Sequence, residues 1–385
     1  MVLFLLTFLT LYASMHALVF WGIYPLLTGH RALPTLVGVW MGMMILAPVM
    51  VRLLDRNGYI LSARGLAWIG YSWMGMLFLA FSVLALVGVW HLIALALRGM
   101  QPGWPLLSPY GPAFSCLLLL VVPAAGIYGF FEATDLRVEK VVIHTEKLPA
   151  SAEPLRVAQV SDVHLGLIHR EETLAPIITR LQELKPDLLV STGDMVDAQM
   201  DHLDGLHDLW LRIDPPLGKF AVTGNHEYYA GLDQAIAFKE KSGFRVLRGN
   251  AITIGNRLTL AGIDDPTGKS AADEIEVLKK ADSSLFTILL KHRPRFEEKS
   301  AGLFDLQLSG HAHRGQIFPF NFLTGLEYPM QNGLYELTEG SRLYASRGTA
   351  TWGPPMRIGS PPEITLFEIV GTGKRTRKTE SREKD

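Results

Sequence analysis

Four long apolar stretches crowd the first third of this 385-residue chain, and they constrain the fold more than any other feature. They run over Val2–Leu27, Leu33–Leu54, Leu66–Leu97 and Phe114–Phe131. A hydrocarbon layer about 30 Å thick needs about 20 mostly apolar residues in a helix, and each stretch meets or approaches that length. The third is long for one crossing, but no proline interrupts it, so one overhanging or tilted span is expected rather than two. Trp21, Trp40, Trp68 and Trp90 suit interfacial anchoring. The first stretch has no basic leader and no small-residue cleavage site, and it reads as a retained span.

Short-loop charges set the expected orientation. Arg52, Arg56 and Arg64 lie between spans two and three, and Arg137, Lys140 and Lys147 follow span four. Only Arg31 and Arg98 fall on the other side. Four crossings then place both termini in the cytoplasm, in the cell (inner) membrane. His16 and His91 are costly inside a span. Neither has an acidic partner nearby in sequence, so each is read as turned toward a neighbouring helix or the interface.

Beyond Glu132 the composition becomes that of an ordinary globular domain. The organisation expected is a membrane domain over 1–131, a linker and leading strand over 132–154, an α/β domain over 155–370, and a charged disordered tail over 371–385. Val138–Ile143, Leu155–Val160, Asp187–Ser191, Lys219–Val222, Leu258–Ile263, Phe286–Leu290, Leu306–Ser309 and Thr365–Val370 read as strands. Helical spacing marks Glu171–Leu184, Leu232–Lys241 and Asp273–Ala281. This alternation predicts sheets covered by helices. A formal charge of −1 speaks against a general nucleic-acid binder. Cys116 is the only cysteine, which excludes disulfides and thiolate metal clusters.

Polar residues gather just after the apolar strands, where open α/β sheets place their ligands. In chain order they are Asp162-Val163-His164, Gly193-Asp194-Met195-Val196-Asp197, Gly224-Asn225-His226-Glu227, His292 and Gly310-His311-Ala312-His313. Residues two apart in an extended segment share a face, so Asp162 with His164, and His311 with His313, are expected to reach one cleft. Nitrogen and oxygen donors without thiolate suit Mn²⁺, Fe²⁺ or Zn²⁺ better than Ca²⁺. With Asp162 and Asp194 as the ionised ligands, two dications keep a net charge of about +2, which attracts a phosphate ester. A Gly-Asn-His triplet arises by accident in about one chain in a hundred of this length, and Gly-His-x-His is rarer. By contrast His144, His169, His202 and His207 lie outside these blocks and read as surface or packing residues.

These blocks resemble the calcineurin-like metallophosphoesterase family over about Leu155–Ile369. The resemblance implies a two-sheet αββα sandwich and two divalent metal ions. It implies one ion held by Asp162, His164, Asp194 and His313, and a second held by Asp194, Asn225, His292 and His311. It also implies that His226, oriented by Asp197, serves as a general acid or transition-state donor. Gly315-Gln316-Ile317, Leu343 through Gly348 and Pro355 through Ile364 look like the subgroup called transmembrane protein with metallophosphoesterase domain. That subgroup implies hydrolysis of a phosphodiester or pyrophosphate by metal-activated hydroxide, with lipid-linked UDP-2,3-diacylglucosamine as an example. The usual Gly-His-Thr-His-Gly-Gly-Gln is broken here by Ala312 and Arg314, and Arg314 is a candidate contact for substrate phosphate. A metal-binding sensor or scaffold without turnover, and a nuclease on the same fold, are the alternatives.

Overall fold

The computed structural model describes residues 2–99, 103, 106–198, 200–268 and 272–373. Two compact units divide the chain. The first contains α1 (Val2–Leu27), α2 (Leu33–Arg56), α3 (Ile60–Arg98) and α4 (Pro112–Thr134). All four are long and apolar enough to cross a membrane. Their outward surfaces are themselves apolar, with Leu36, Leu61, Leu86 and Leu120 largely exposed. That pattern matches a lipid surround rather than water. α3 is continuous over 39 residues, or about 58 Å at the α-helical rise, and so overhangs a single crossing. It begins six residues before the expected Leu66, because Ser62-Ala63-Arg64 and Gly65 continue the helix despite their polarity.

Small residues let these helices approach. A methyl on Gly70 would meet Ala47 Cβ at 3.0 Å. His16 packs as an inter-helix polar link: Trp73 Nε1 donates to its Nε2 at 2.9 Å, and its Nδ1 faces the Tyr12 carbonyl at 2.8 Å. Trp can only donate, so Nε2 accepts and Nδ1 carries the proton, leaving the ring neutral. His91 Nδ1 meets the Leu107 carbonyl at 2.9 Å.

Two segments from far along the sequence, Ile317–Pro319 and Trp352–Gly359, belong to this helical unit. Met356 is fully buried; a methyl on Gly75 would collide with its sulfur, and one on Gly129 would lie 3.2 Å from its Cβ. The Arg357 amide donates to the Gly129 carbonyl at 2.9 Å, and Gly359 N–H donates to Glu132 Oε2 at 2.9 Å. Apolar burial by Ile317, Met356 and Ile358 explains why these stretches leave the span assigned to the α/β domain.

The second unit starts with β1 (Arg137–Pro149) and β2 (Leu155–Val160), followed by α5 (Glu171–Leu184), β3 (Leu188–Ser191), α6 (Leu206–Leu211) and β4 (Lys219–Ala221). Then come α7 (Asn225–Ala230), α8 (Leu232–Lys241), β5 (Phe244–Val246), β6 (Asn250–Ile254), β7 (Leu258–Gly262), α9 (Glu274–Leu278) and β8 (Phe286–Leu290). β9 (Leu306–Ser309), α10 (Phe320–Glu327), β10 (Gly333–Glu336), β11 (Arg342–Ala345) and β12 (Glu363–Gly373) complete it.

Two six-stranded sheets result, with strand orders β1-β12-β2-β3-β4-β5 and β10-β11-β9-β8-β7-β6. Both are mixed: β2 through β5 run parallel, as do β7, β8, β9 and β11, with antiparallel pairs at β12–β2, β6–β7 and β10–β11. Val157, Val190 and Phe220 from one sheet pack against Leu260, Ile288 and Leu308 from the other. On the far side of the first sheet, α5, α6 and α8 bury Leu174, Ile177, Leu181, Trp210 and Phe238. α9 and the Phe304 loop cover the other sheet with Val277 and Leu278. This is the expected two-sheet sandwich with helices outside.

α5 shows how the local sequence dictates its element. Glu171 and Glu172 sit in the first turn, where they complement the helix dipole, and Leu174, Ile177, Ile178 and Leu181 make one buried stripe. The helix stops at Lys185, in a left-handed conformation just ahead of Pro186. β12 reaches Gly373, three residues beyond the point where the disordered tail is expected to begin. Its pairing with β1 there depends on glycine, since a methyl on Gly371 or Gly373 would strike the Pro149 or Glu146 carbonyl. The rest of the expected tail, from 374, lies outside the described residues.

Candidate metal centre

Every candidate ligand stands just past the C-terminal end of a parallel strand. β2 leads to Asp162 and His164, β3 to Asp194, β4 to Asn225, β8 to His292, and β9 to His311 and His313. The two sheets therefore converge their carboxyl ends on one place.

The backbone there is not extended. Asp162, His164, Asp194, His311 and His313 all have φ between 47° and 67°. They make up half of the ten non-glycine residues with positive φ among those described, so strain is concentrated at this place. The strand-like alternation expected for Asp162/His164 and His311/His313 is thus replaced by left-handed turns. The two members of the second pair also part company, each joining a different group.

One group forms around Asp162. Its Oδ1 lies 3.4 Å from His313 Nε2 and 4.0 Å from His164 Nε2, and the two ring nitrogens are 3.3 Å apart. The other forms around His292. Its Nε2 lies 3.2 Å from Asp194 Oδ2, 3.2 Å from Asn225 Oδ1 and 3.1 Å from His311 Nδ1. Asp194 Oδ2 is also 3.9 Å from His164 Nε2, so this carboxylate stands between the groups. The geometry brings Asp162, His164 and His313 together as one potential metal-holding set, and Asp194, His292 and His311 as another.

Hydrogen bonding sorts the lone pairs. His292 Nδ1 faces the Thr192 carbonyl at 2.8 Å, so Nδ1 is the donor and the Nε2 lone pair is left pointing at two oxygens and a third ring. Electron-rich atoms this close repel one another unless a positive charge sits among them. The titration behaviour points the same way. Burial would lower the His292 pKa, but the Asp194 and Asp162 charges outweigh it and raise it to about 10. The position therefore calls for a cation, whether proton or metal. Burial and the neighbouring His292 charge push His311 down to about 3. Burial, with His226 and His313, holds His164 well below the ordinary range. Asp162 is fully buried, which would raise its pKa, yet His313, His292 and His164 hold it well below the usual carboxylate value. Neutral His164 and His311 and an ionised Asp162 are the forms a divalent cation needs.

His226 and Asp197 sit at the edge of the cluster. His226 Nδ1 is 2.9 Å from Asp197 Oδ1, and its backbone N–H donates to Asp194 Oδ1 at 2.8 Å. Burial would lower the His226 pKa, but Asp194 and the Asp197 hydrogen bond raise it to about 9. A protonated imidazole held by a carboxylate is suited to donating a proton. Arg314 is exposed on the turn after His313, with φ 49°. That left-handed conformation costs a non-glycine residue about 1 kcal/mol, which gives the usual Gly at this position a physical reason. The remaining motif glycines are needed for close approach. A methyl on Gly193 would lie 2.7 Å from Gly224 N and from His292 Nδ1, and one on Gly310 would strike Ser161 and Asp162.

Several residues support the cluster without a role legible in the motifs. Glu227 has a sequence signature but no role readable from it. Fully buried, it accepts from the amides of Asp194 (3.0 Å), Met195 (2.9 Å) and Gly224 (2.6 Å), and Lys239 Nζ lies 3.0 Å away. One carboxylate thus ties the Asp194 loop to the Asn225 loop. Lys239 was detectable only as a lysine on the apolar face of α8, beside Ala235 and Phe238. The downstream block Ser346–Thr351 props the Asp162 turn, with Thr349 and Ala350 amides donating to the Ser161 and Asp162 carbonyls at 2.7 and 3.2 Å. Ser360 Oγ likewise donates to the His313 carbonyl at 2.7 Å. His169, outside the motifs, packs through Thr173 and Thr351 at 3.1 and 2.9 Å.

Comparison with known proteins gives this geometry a lineage. The calcineurin-like phosphoesterase family matches residues 155–315. An uncharacterised metallophosphoesterase of Aquifex aeolicus (strain VF5) is 44% identical over 261 residues, covering 66% of this chain and 100% of that protein. The transmembrane protein with metallophosphoesterase domain of Danio rerio is 32% identical over 266 residues, covering 65% of this chain and 61% of its own length. Among solved structures, a putative 5′-nucleotidase of Staphylococcus aureus aligns with a TM-score of 0.33 at 15% identity, covering 56% of this chain and 54% of that one. The chain spans about half the length of that nucleotidase. On the strength of the family match and the full-length Aquifex relative, this chain belongs to the calcineurin-like metallophosphoesterase family.

Proposed function

We propose that this protein is a membrane-anchored phosphoesterase that uses two divalent ions to hydrolyse a phosphodiester or pyrophosphate bond. One observation carries the reading: overlapping sets of buried or half-buried His and Asp donors meet around Asp194, with lone pairs facing one another and no thiolate among them. Asp162, His164, Asp194 and His313 would hold one ion, and Asp194, Asn225, His292 and His311 the other. The ions, when bound, lower the pKa of a water and offset charge on the phosphoryl group. Mn²⁺, Fe²⁺ and Zn²⁺ all suit this donor set.

The chain's own residues supply the rest. His226, held by Asp197, delivers a proton to the leaving-group oxygen. Glu227 fixes the two loops so that Asp194 and Asn225 keep their spacing. Arg314, exposed beside His313, contacts substrate phosphate and supplies a charge-assisted hydrogen bond. The substrate is amphiphilic, and lipid-linked nucleotides such as UDP-2,3-diacylglucosamine are the class to examine first. The four spans support this reading, since anchoring raises the effective concentration of the domain at headgroups. The Lys and Arg asymmetry of the short loops supports a cytoplasmic catalytic domain on the inner membrane. The near-neutral charge speaks for a small phosphoester rather than a nucleic acid.

The test pairs metal analysis with turnover of bis-(p-nitrophenyl) phosphate by the full-length protein. Two transition-metal ions per chain and Mn²⁺-dependent cleavage are expected, and Asp194→Asn should abolish the cleavage. Bound metal without turnover would favour the sensor or scaffold reading, and neither metal nor turnover would end the proposal.

A further inference from the structure

α7 carries two adjacent tyrosines with different surroundings. Tyr228 is half-buried and hydrogen-bonded with Thr223 and Arg248, and a methyl on Gly268 would strike its hydroxyl. Tyr229 is 57% exposed, and its ring packs on that of His226 with centroids 5.2 Å apart and planes at 68°. The two residues are three positions apart, so they share one face of the helix. A single exposed aromatic ring is ordinary on a protein surface. One that lies against the proton donor for a leaving oxygen is placed to touch what leaves.

Asp197 adds a second constraint. Its side chain is 40% exposed even though Oδ1 lies 2.9 Å from His226 Nδ1. A carboxylate at this place disfavours an anionic leaving group, because like charges at close range repel. It also accepts hydrogen bonds from the hydroxyls of a neutral one. An aromatic face favours the C–H side of a ring, since the positive hydrogens meet the negative π-cloud. Because Tyr229 is in contact with His226, the group that meets its ring is the one bearing the leaving oxygen, not a more distant part of the substrate.

We propose that Tyr229 and Asp197 form a sugar subsite, and that the leaving oxygen of the natural substrate is borne by a neutral sugar ring. The sugar lies with its C–H face on Tyr229 and its hydroxyls toward Asp197. As a water oxygen bonds to phosphorus, the bond from phosphorus to the sugar oxygen breaks. That bond's electron pair stays on the sugar oxygen, which takes its proton from His226. The inference rests on the phosphoesterase reading and narrows it. Of a phosphodiester and a pyrophosphate, the subsite selects the diester, because a pyrophosphate would leave as a phosphate beside Asp197. An open-chain alcohol such as glycerol offers Tyr229 no flat face.

The experiment compares leaving groups. Full-length protein with Mn²⁺ is assayed on glucosyl methyl phosphate, glyceryl methyl phosphate and p-nitrophenyl methyl phosphate, following release of the alcohol other than methanol. Tyr229→Ala should lower kcat/KM for the glucosyl diester by about fivefold or more beyond its effect on the glyceryl diester. Tyr229→Trp, which keeps a flat ring, should restore most of that loss, and Tyr229→Leu should not. A second readout needs no turnover. Saturation-transfer NMR with the C-glucosyl phosphonate methyl ester, whose sugar is held by a carbon–phosphorus bond, should show transfer to the sugar C–H protons that Tyr229→Ala removes. Equal losses on all the diesters would mean that Tyr229 only supports His226, and would overturn the sugar subsite while leaving the phosphoesterase reading in place. A loss confined to the p-nitrophenyl diester would overturn it as well. No cleavage of any diester by the unsubstituted protein would remove the phosphoesterase reading and this inference with it.

Discussion

Substituting Glu227 by Gln removes a charge that sits in full burial among three backbone amides and one ammonium. The shape of the side chain is kept, but one carboxylate oxygen becomes an NH₂ group that can accept nothing. At least one of the Asp194, Met195 and Gly224 amides then loses its acceptor, at a cost of about 1–3 kcal/mol. Lys239, wholly buried, becomes an uncompensated cation apart from its bond to the Val222 carbonyl at 2.8 Å. Breaking one side of a buried pair costs about 3–5 kcal/mol in all, and that is the expected loss for the α/β unit. Lys239→Met should cost less, because Glu227 keeps its three amide donors. The double variant should be more stable than the two single losses added together by about 1–3 kcal/mol, since the stranded charge is gone. Pulse proteolysis of full-length protein in detergent across a urea series, following cleavage within the α/β unit, reads all four states. A Glu227→Gln loss below about 1 kcal/mol, or strict additivity in the double variant, would refute the reasoning. The pH dependence has a definite sign. Burial would raise the Glu227 pKa, but Lys239 and the Gly224 amide hold it below its ordinary value of 4.5. The contribution is thus present above 4.5 and lost as pH falls through the depressed folded-state value, and Glu227→Gln should flatten that part of the acid limb.

Other outcomes follow from the same geometry. His226→Ala should lower kcat by about 10²–10⁴ without changing bound metal, and Asp197→Asn should lower it less; steady-state kinetics with metal analysis separates this from a structural loss. Arg314→Ala should raise KM about tenfold at unchanged kcat, as one lost charge-assisted contact would, and no change in either constant would remove Arg314 from the substrate site. Chelation should destabilise the α/β unit, and Mn²⁺ at a hundredfold its dissociation constant should restore about 2.7 kcal/mol, read by the same proteolysis. A reporter fused after Asp385 should be active only in its cytoplasmic form, and activity outside the cytoplasm would reverse the orientation.

Much of this architecture is legible without coordinates because it depends on local pattern. Span length is a matter of counting apolar residues, and α3 is one helix across its whole apolar run, as expected. α5 and α8 occupy the residues that their spacing marks, since a buried stripe at 3.6-residue period leaves little choice of boundary. Candidate ligands could be named because each follows an apolar strand, and parallel strands deliver their carboxyl ends to one edge. The strands β5, β6, β10 and β11 were not legible in the sequence. Nor was α10 legible there.

What the amino-acid order determined alone was composition along the chain: which third is lipid-soluble, which residues can bind a cation, and where strands give way to loops. Tertiary structure decided which of those residues meet. His311 and His313 are two positions apart, yet left-handed turns send one to His292 and the other to His164. Glu227 and Lys239 become a pair only because α7 and α8 fold together beneath the Asp194 loop. Ile317–Pro319 and Trp352–Gly359 join the helical unit, across a sequence distance that no local pattern spans. The physical reason is the same in each case. Hydrophobic period and turn chemistry act over a few residues, whereas charge pairing and cation sites are decided by distances that exist only once the sheets have closed.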